Sequence, residues 1–142
     1  MNARQQRTRL WLESASGDLR AARQLMAAQD RVVMSICFHA QQAAEKALKA
    51  YLVWMDVVFR PTHDLKVLVQ QCSAQHPPFA RLATLETLSV YAVETRYPQE
   101  LPDCLPPDLS AQIAQAADCV DMVLAVLKEA GFTPADPKPG GT

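Results

Sequence analysis

Phe38-His39-Ala40-Gln41-Gln42-Ala43-Ala44-Glu45-Lys46-Ala47-Leu48-Lys49-Ala50-Tyr51-Leu52 is the stretch whose reading decides the fold. It has no glycine or proline and few β-branched residues, so it reads as helix throughout. Gln42, Glu45, Lys46 and Lys49 fall at i, i+3, i+4 and i+7 and share one face. Ala40, Ala44, Ala47, Leu48 and Tyr51 share another. Alanine on a packing face lets neighbouring backbones approach closely, which suits the central helix of a bundle. The polar face then either meets water or lines a cleft, and periodicity alone favours water.

The flanking sequence extends this helix from about Val33 to Met55, with Val53 to Phe59 fraying into an extended connection. Upstream, Leu12, Ala15, Leu19, Ala22 and Met26 repeat at a 3-4-3-4 spacing, a bundle seam on a first helix from about Thr8 to Ala28. Downstream, Arg60-Pro61-Thr62-His63-Asp64-Leu65 reads as a loop entering a helix. Proline disfavours helix at Arg60, Thr62 is a good N-cap, and Asp64 suits the first turn. That third helix is short, about His63 to Gln71, with Leu65, Leu68, Val69 and Cys72 inward. A fourth, about Phe79 to Thr95, places Leu82, Leu85, Leu88 and Ala92 inward. Four prolines between residues 98 and 107 mark an irregular connection. The last helix begins near Asp108 or Ser110, carries Ile113, Ala117, Val120, Leu124 and Leu127 as its seam, and stops at Gly131 as an αL cap. The expectation is an all-α, up-and-down antiparallel bundle of four long helices plus one short one, spanning residues 1–132. Residues 133–142 are expected to form a disordered Pro/Gly-rich tail.

Composition supports this reading. The chain has 142 residues, 49% of them hydrophobic and 20% charged, enough for one domain with a real core. Only four glycines occur, too few for a β-sandwich rich in turns. No apolar run reaches the length of a membrane span and no signal-peptide core follows the N-terminus, so the expected location is cytoplasmic. Cys37, Cys72, Cys104 and Cys119 form no CxxC pair. They read as reduced core thiols, and no ligand spacing joins them to His39 or His63 as a zinc site. Net charge is −1, but residues 1–71 carry +4 and residues 72–142 carry −5. A basic first half can attract phosphate groups, although mixed helical surfaces often show such asymmetry by chance.

Three segments in order, the Gln-Gln-Ala-Ala-Glu-Lys helix, Thr62-His63-Asp64-Leu65 and Arg96-Tyr97-Pro98, together with Ala15-Ser16-Gly17-Asp18-Leu19-Arg20-Ala21-Ala22, resemble the HEPN domain family over about residues 10–130. The resemblance implies a helical bundle that is usually a homodimer. It also implies association with small nucleotidyltransferases in toxin–antitoxin or stress modules. Some members are metal-independent ribonucleases whose site is an Arg followed four to six residues later by His. Others bind nucleotides or act as non-catalytic partners.

This chain has no Arg-x4-6-His anywhere. Metal-free RNA cleavage needs a group that moves a proton near neutral pH and a cation for the phosphorane. Arginine alone supplies only the second. The expectation is therefore a non-catalytic protein with no catalytic residue, no metal and no obligatory cofactor, ATP or GTP being the candidate ligand and RNA a further one. Gln42, Lys46, Lys49, His63, Asp64, Arg96 and Tyr97 are the candidate nucleotide-binding residues. Each has a plainer reading. Lys46 and Lys49 can be a solvated face, with the Glu45–Lys49 pair worth about 0.3–0.5 kcal/mol when exposed. One of Gln41 and Gln42 can be a buried structural residue. Thr62 and Asp64 can simply start a helix, leaving His63 to pack. Arg96 can complement a helix end while Tyr97 covers the core. The alternatives are a ribonuclease toxin with a rearranged site (Arg60, His63, Arg96) and a pure protein-interaction module.

Overall fold

The computed structural model describes residues 2–59, 61–91 and 108–134. Those residues form α1 (Ala3–Ala27), α2 (Val33–Trp54), α3 (Leu65–Gln75), a 3-10 helix (Pro77–Tyr91) and α4 (Leu109–Glu129). No strand occurs among them. The architecture is the expected all-α bundle, with α2 at its centre: α1, α3, the 3-10 helix and α4 all pack against it.

Alanine makes that central position possible. Ala40, Ala43, Ala44, Ala47 and Ala50 of α2 are fully buried, as are Ala15 and Ala22 on the facing seam of α1. With methyl groups at the contact, α1 and α2 lie against each other over most of their length. Larger side chains close the ends. Tyr51 meets Phe79 at 4.7 Å between ring centroids. Trp54 meets Phe132 edge-on at 5.7 Å, and the Arg4 guanidinium lies 4.8 Å over the Trp54 ring. The two ends of the described chain are thus pinned to the C-terminal end of α2.

Helix boundaries differ from the sequence reading where local caps outweigh periodicity. α1 begins at Ala3 rather than Thr8, because Asn2 and Gln5 form a reciprocal capping box. Thr8 is buried inside the helix, its hydroxyl donating to the Arg4 carbonyl. α3 runs Leu65–Gln75, and its N-cap is Asp64, not Thr62. Asp64 Oδ1 accepts from Lys66 N, while Thr62 Oγ1 accepts from Asp64 N in the turn before. α2 ends at Trp54 because Asp56 takes a left-handed conformation (φ 57°) and Val57 N reaches back to Leu52 O. α4 ends as expected at Gly131 (φ 101°), with Phe132 N donating to Leu127 O in a Schellman arrangement that buries Phe132.

The fourth long element is 3-10 rather than α, and its sequence explains why. Phe79, Leu82, Leu85 and Leu88 recur every third residue and are all buried. A helix with three residues per turn keeps such a series on one line, whereas an α-helix rotates it away by about 60° per step. Runs of this length are uncommon in 3-10 form, and here the apolar period matches the helix. Ala92, expected inward, lies outside the described residues.

α4 buries Ile113, Ala116, Cys119, Val120, Val123 and Leu127, while Ala117 and Leu124 of the expected seam are only half-buried at its flank. By length and mean composition alone, α4 is apolar enough to cross a membrane. Asp118 and Asp121 interrupt it, however, and Asp118 makes a two-pronged pair with Arg81 of the 3-10 helix at 2.8 and 3.3 Å. Its apolar character faces α2 within the bundle. α1 and α4 both lean on α2 but meet each other only sparsely.

Candidate functional site

The polar face of α2 does not meet water. Glu45 is 3% exposed, Lys49 7% and Gln42 9%, and Gln41 is fully buried. Both glutamines are therefore interior, where the sequence reading buried one. Periodicity places these residues on one face, but it cannot see that α1 and the α2–α3 connection cover that face.

Glu45 is the hub. Its Oε1 accepts from Gln41 Nε2 at 3.1 Å and from Gln42 Nε2 at 3.5 Å, and lies 2.8 Å from His63 Nδ1. Its Oε2 accepts from Lys49 Nζ at 3.1 Å. A buried carboxylate is tolerable only when fully bonded and paired, and this one is. Lys49 is held further by Trp11 of α1 and Phe59 of the connection, whose ring centroids lie 5.6 and 5.8 Å from Nζ. The Gln41 amide also donates to the His63 carbonyl at 3.2 Å. The residue ahead of the Asp64 cap is thereby fastened to α2 through both its backbone and its ring.

That fastening fixes the His63 imidazole. An ionised carboxylate only accepts, so Nδ1 carries the proton shared with Glu45. The side chain remains 63% exposed, with Nδ1 engaged and Nε2 as the ring nitrogen left for other contacts. A buried carboxylate orienting an exposed imidazole is the arrangement that sets a histidine's tautomer for proton transfer or ligand contact.

A second cluster lies where α2 meets α1. Asp18, in the middle of α1, bonds Lys46 Nζ at 2.7 Å and His39 Nδ1 at 2.8 Å through its two oxygens. His39 and Lys46 are seven residues apart and so project from one line of α2. Phe38 meets the His39 ring edge-on at 5.3 Å.

The candidate residues therefore separate into two groups and a remainder. Gln42, Lys49 and His63 converge on Glu45, with Asp64 capping the adjoining helix, while Lys46 belongs to Asp18. Arg60, Arg96 and Tyr97 lie outside the described residues. Surface grooves of about 370, 180, 690 and 240 Å³ are lined by none of the described candidate residues, although Trp11 lines the second and Phe59 the third. Sequence reasoning missed Asp18, Trp11 and Phe59 as participants. Asp18 stood in the Ala-x-x-Asp-Leu pattern, a signal for importance but not for its partner 28 positions away.

No group of three or more metal-ligating side chains is found among the described residues. The thiols of Cys37, Cys72 and Cys119 are core groups, while Cys104 lies outside the described residues. Burial pushes Cys37 up to about 11 and Cys72 up to about 12, and raises Cys119 as well. Cys72 and Cys119 donate to the Leu48 and Ala44 carbonyls of α2. None is a thiolate near neutral pH.

The HEPN domain model matches residues 8–130. The chain belongs to the HEPN domain family. The match covers α1 through α4, so the buried Glu45 hub lies within the family's shared domain, and the helical fold implied by the resemblance is the one observed. No curated protein and no solved structure matches this HEPN chain.

Proposed function

We propose that this HEPN protein works by association rather than catalysis, as the non-catalytic partner of a minimal nucleotidyltransferase in a toxin–antitoxin or stress module. In this reading it is a cytoplasmic homodimer with ATP or GTP as its candidate small ligand. The observation that carries the reading is that the α2 cations are already neutralised: Lys46 by Asp18 and Lys49 by Glu45, each within 3.1 Å. A phosphate site needs donors not already spent on internal carboxylates, and these two are spent. The missing Arg-x4-6-His points the same way. Nucleotide binding in this reading falls to Arg96, Tyr97 and His63.

Two measurements test it. Co-expression with a neighbouring minimal nucleotidyltransferase should give a complex that survives size-exclusion chromatography. ATP or GTP should raise the melting temperature, and Arg96→Ala should abolish that rise. A chain that neither captures the enzyme nor shifts with either nucleotide would sink the reading.

One observation favours the ribonuclease alternative: the His63 ring oriented by buried Glu45. It supplies the proton-moving group that the sequence lacked at the family spacing, with Arg60 and Arg96 as the cations. RNA cleavage by purified protein, lost in His63→Ala, would establish this instead.

A further inference from the structure

The engaged nitrogen of His63 dictates what its other nitrogen can bind. Nδ1 lies 2.8 Å from Glu45 Oε1, and the side chain is 63% exposed. An ionised carboxylate only accepts, so the Nδ1 proton stays on the ring whether His63 is neutral or charged. In the neutral ring Nε2 is then a bare lone pair, an acceptor. A phosphate oxygen is an acceptor too, and two acceptors form no hydrogen bond. Nε2 becomes a donor only when the ring takes up a second proton.

The charges around the ring give that second proton its weight. From α2, Glu45 and Lys49 meet at 3.1 Å, both less than a tenth exposed, and their charges cancel. The start of α3 brings Asp64 and Lys66, one of each sign and both exposed. α1 contributes Trp11, uncharged, against Lys49. Lys46 is matched to Asp18 in the other cluster. These surroundings are neutral in sum, and a net positive charge arises among them only when the imidazole is protonated.

We propose that His63 is a proton-linked phosphate contact: its Nε2 binds a phosphate oxygen only as the imidazolium, and an anion bound there brings one proton with it. No covalent bond changes. The proton comes from solvent, resides on Nε2 and is donated in a hydrogen bond to the phosphate oxygen. Neutral His63 takes an N–H or O–H donor instead. Affinity for a phosphate group is therefore present below the range in which imidazole titrates and is lost as pH rises through it. The inference rests on the nucleotide reading above and adds how that binding is regulated.

The test is calorimetric titration of the full chain with Mg·ATP and Mg·GTP, whose phosphates hold no titrating proton near neutral pH. Runs in two buffers of different ionisation enthalpy give the protons taken up per nucleotide. Uptake should approach about one proton, and affinity should fall about tenfold between about pH 6 and about pH 8. Adenosine, which has no phosphate, should give no uptake. His63→Lys, a fixed cation at an exposed position, should keep binding at the higher pH and flatten the pH dependence.

Proton–nitrogen NMR of the imidazoles needs no variant. In the free chain above its titration range, His63 should show Nδ1 protonated and Nε2 bare. Nucleotide should raise its titration midpoint by about one pH unit. His39 is the internal control, because its Nδ1 meets Asp18 in the same way but its side chain is only 24% exposed. Nucleotide binding without proton uptake overturns the proposal and leaves the nucleotide reading standing. So does equal uptake with adenosine, an Nε2–H tautomer of His63, or a midpoint that moves at His39 and not at His63. No binding of either nucleotide at either pH removes that reading, and the inference with it.

Discussion

The polar face of α2 and the outward stripe of α1 carry similar residues and meet opposite fates. Both place cations and a carboxylate at helical spacing within a few turns. On α2 the charges are buried and matched: Glu45 to Lys49 and His63, and Lys46 to Asp18. On α1, Glu13 and Arg20 are exposed beside the surface groove of about 370 Å³. A charge pattern along one helix says where side chains point, not what lies over them. Coverage is decided by residues 10 to 38 positions away from the α2 side chains they meet: His63, Asp18, Trp11 and Phe59. The lesson concerns energy as well as placement. A charge inside the bundle is held by its partners and is costly to orphan, whereas one at the rim remains available to something outside.

Replacing the hub should break the contrast most sharply. Glu45→Ala leaves Lys49 buried without its counter-charge, and should cost about 3–5 kcal/mol in urea denaturation. A loss below about 1 kcal/mol would mean the face is effectively solvated. Pairing the change with its partner sharpens the point. Glu45→Gln with Lys49→Met removes both charges, and should cost less than the sum of the single changes by about 1–3 kcal/mol. Strict additivity would show the two residues to be independent.

The Asp18 cluster is shallower, with Lys46 and His39 each about a quarter exposed. Asp18→Ala should cost about 1–2 kcal/mol, and high salt should narrow the gap from wild type. Asp56→Gly relieves a left-handed backbone at the mouth of the α2–α3 connection. It should add about 0.5–1 kcal/mol of stability, seen as a higher urea midpoint. At the other extreme, Arg20→Ala on the rim of that groove should stay within about 0.5 kcal/mol of wild type. A larger loss would show that the rim arginine already has a partner within the chain.

Much of the fold was legible because its signals are local. The Leu12, Ala15, Leu19 and Ala22 seam, the alanine face of α2 and the Gly131 stop depend only on neighbours in sequence, and each is where periodicity puts it. The Asn2–Gln5 capping box was equally local and simply outranked the apolar seam in setting the start of α1. The candidate site was less legible. Gln42, Lys49 and His63 were identified as residues of interest, but their meeting point, Glu45, could not be inferred, because a carboxylate flanked by lysines looks the same at a surface and in a core. The 3-10 helix was hidden for a related reason. Leu82, Leu85 and Leu88 at spacing three fit either helix type over a short run, and only adding Phe79 makes the period strict.

That strict period has a consequence for how the segment tolerates change. In an α-helical seam, alternating steps of three and four absorb small shifts, and no deletion of a few residues restores the pattern cleanly. The Pro77–Tyr91 segment behaves instead like a reading frame. Deleting one residue turns every leucine after it a third of the way round the axis and out of the core. Deleting three in a row shortens the rod by one turn and leaves the remaining apolar letters in phase.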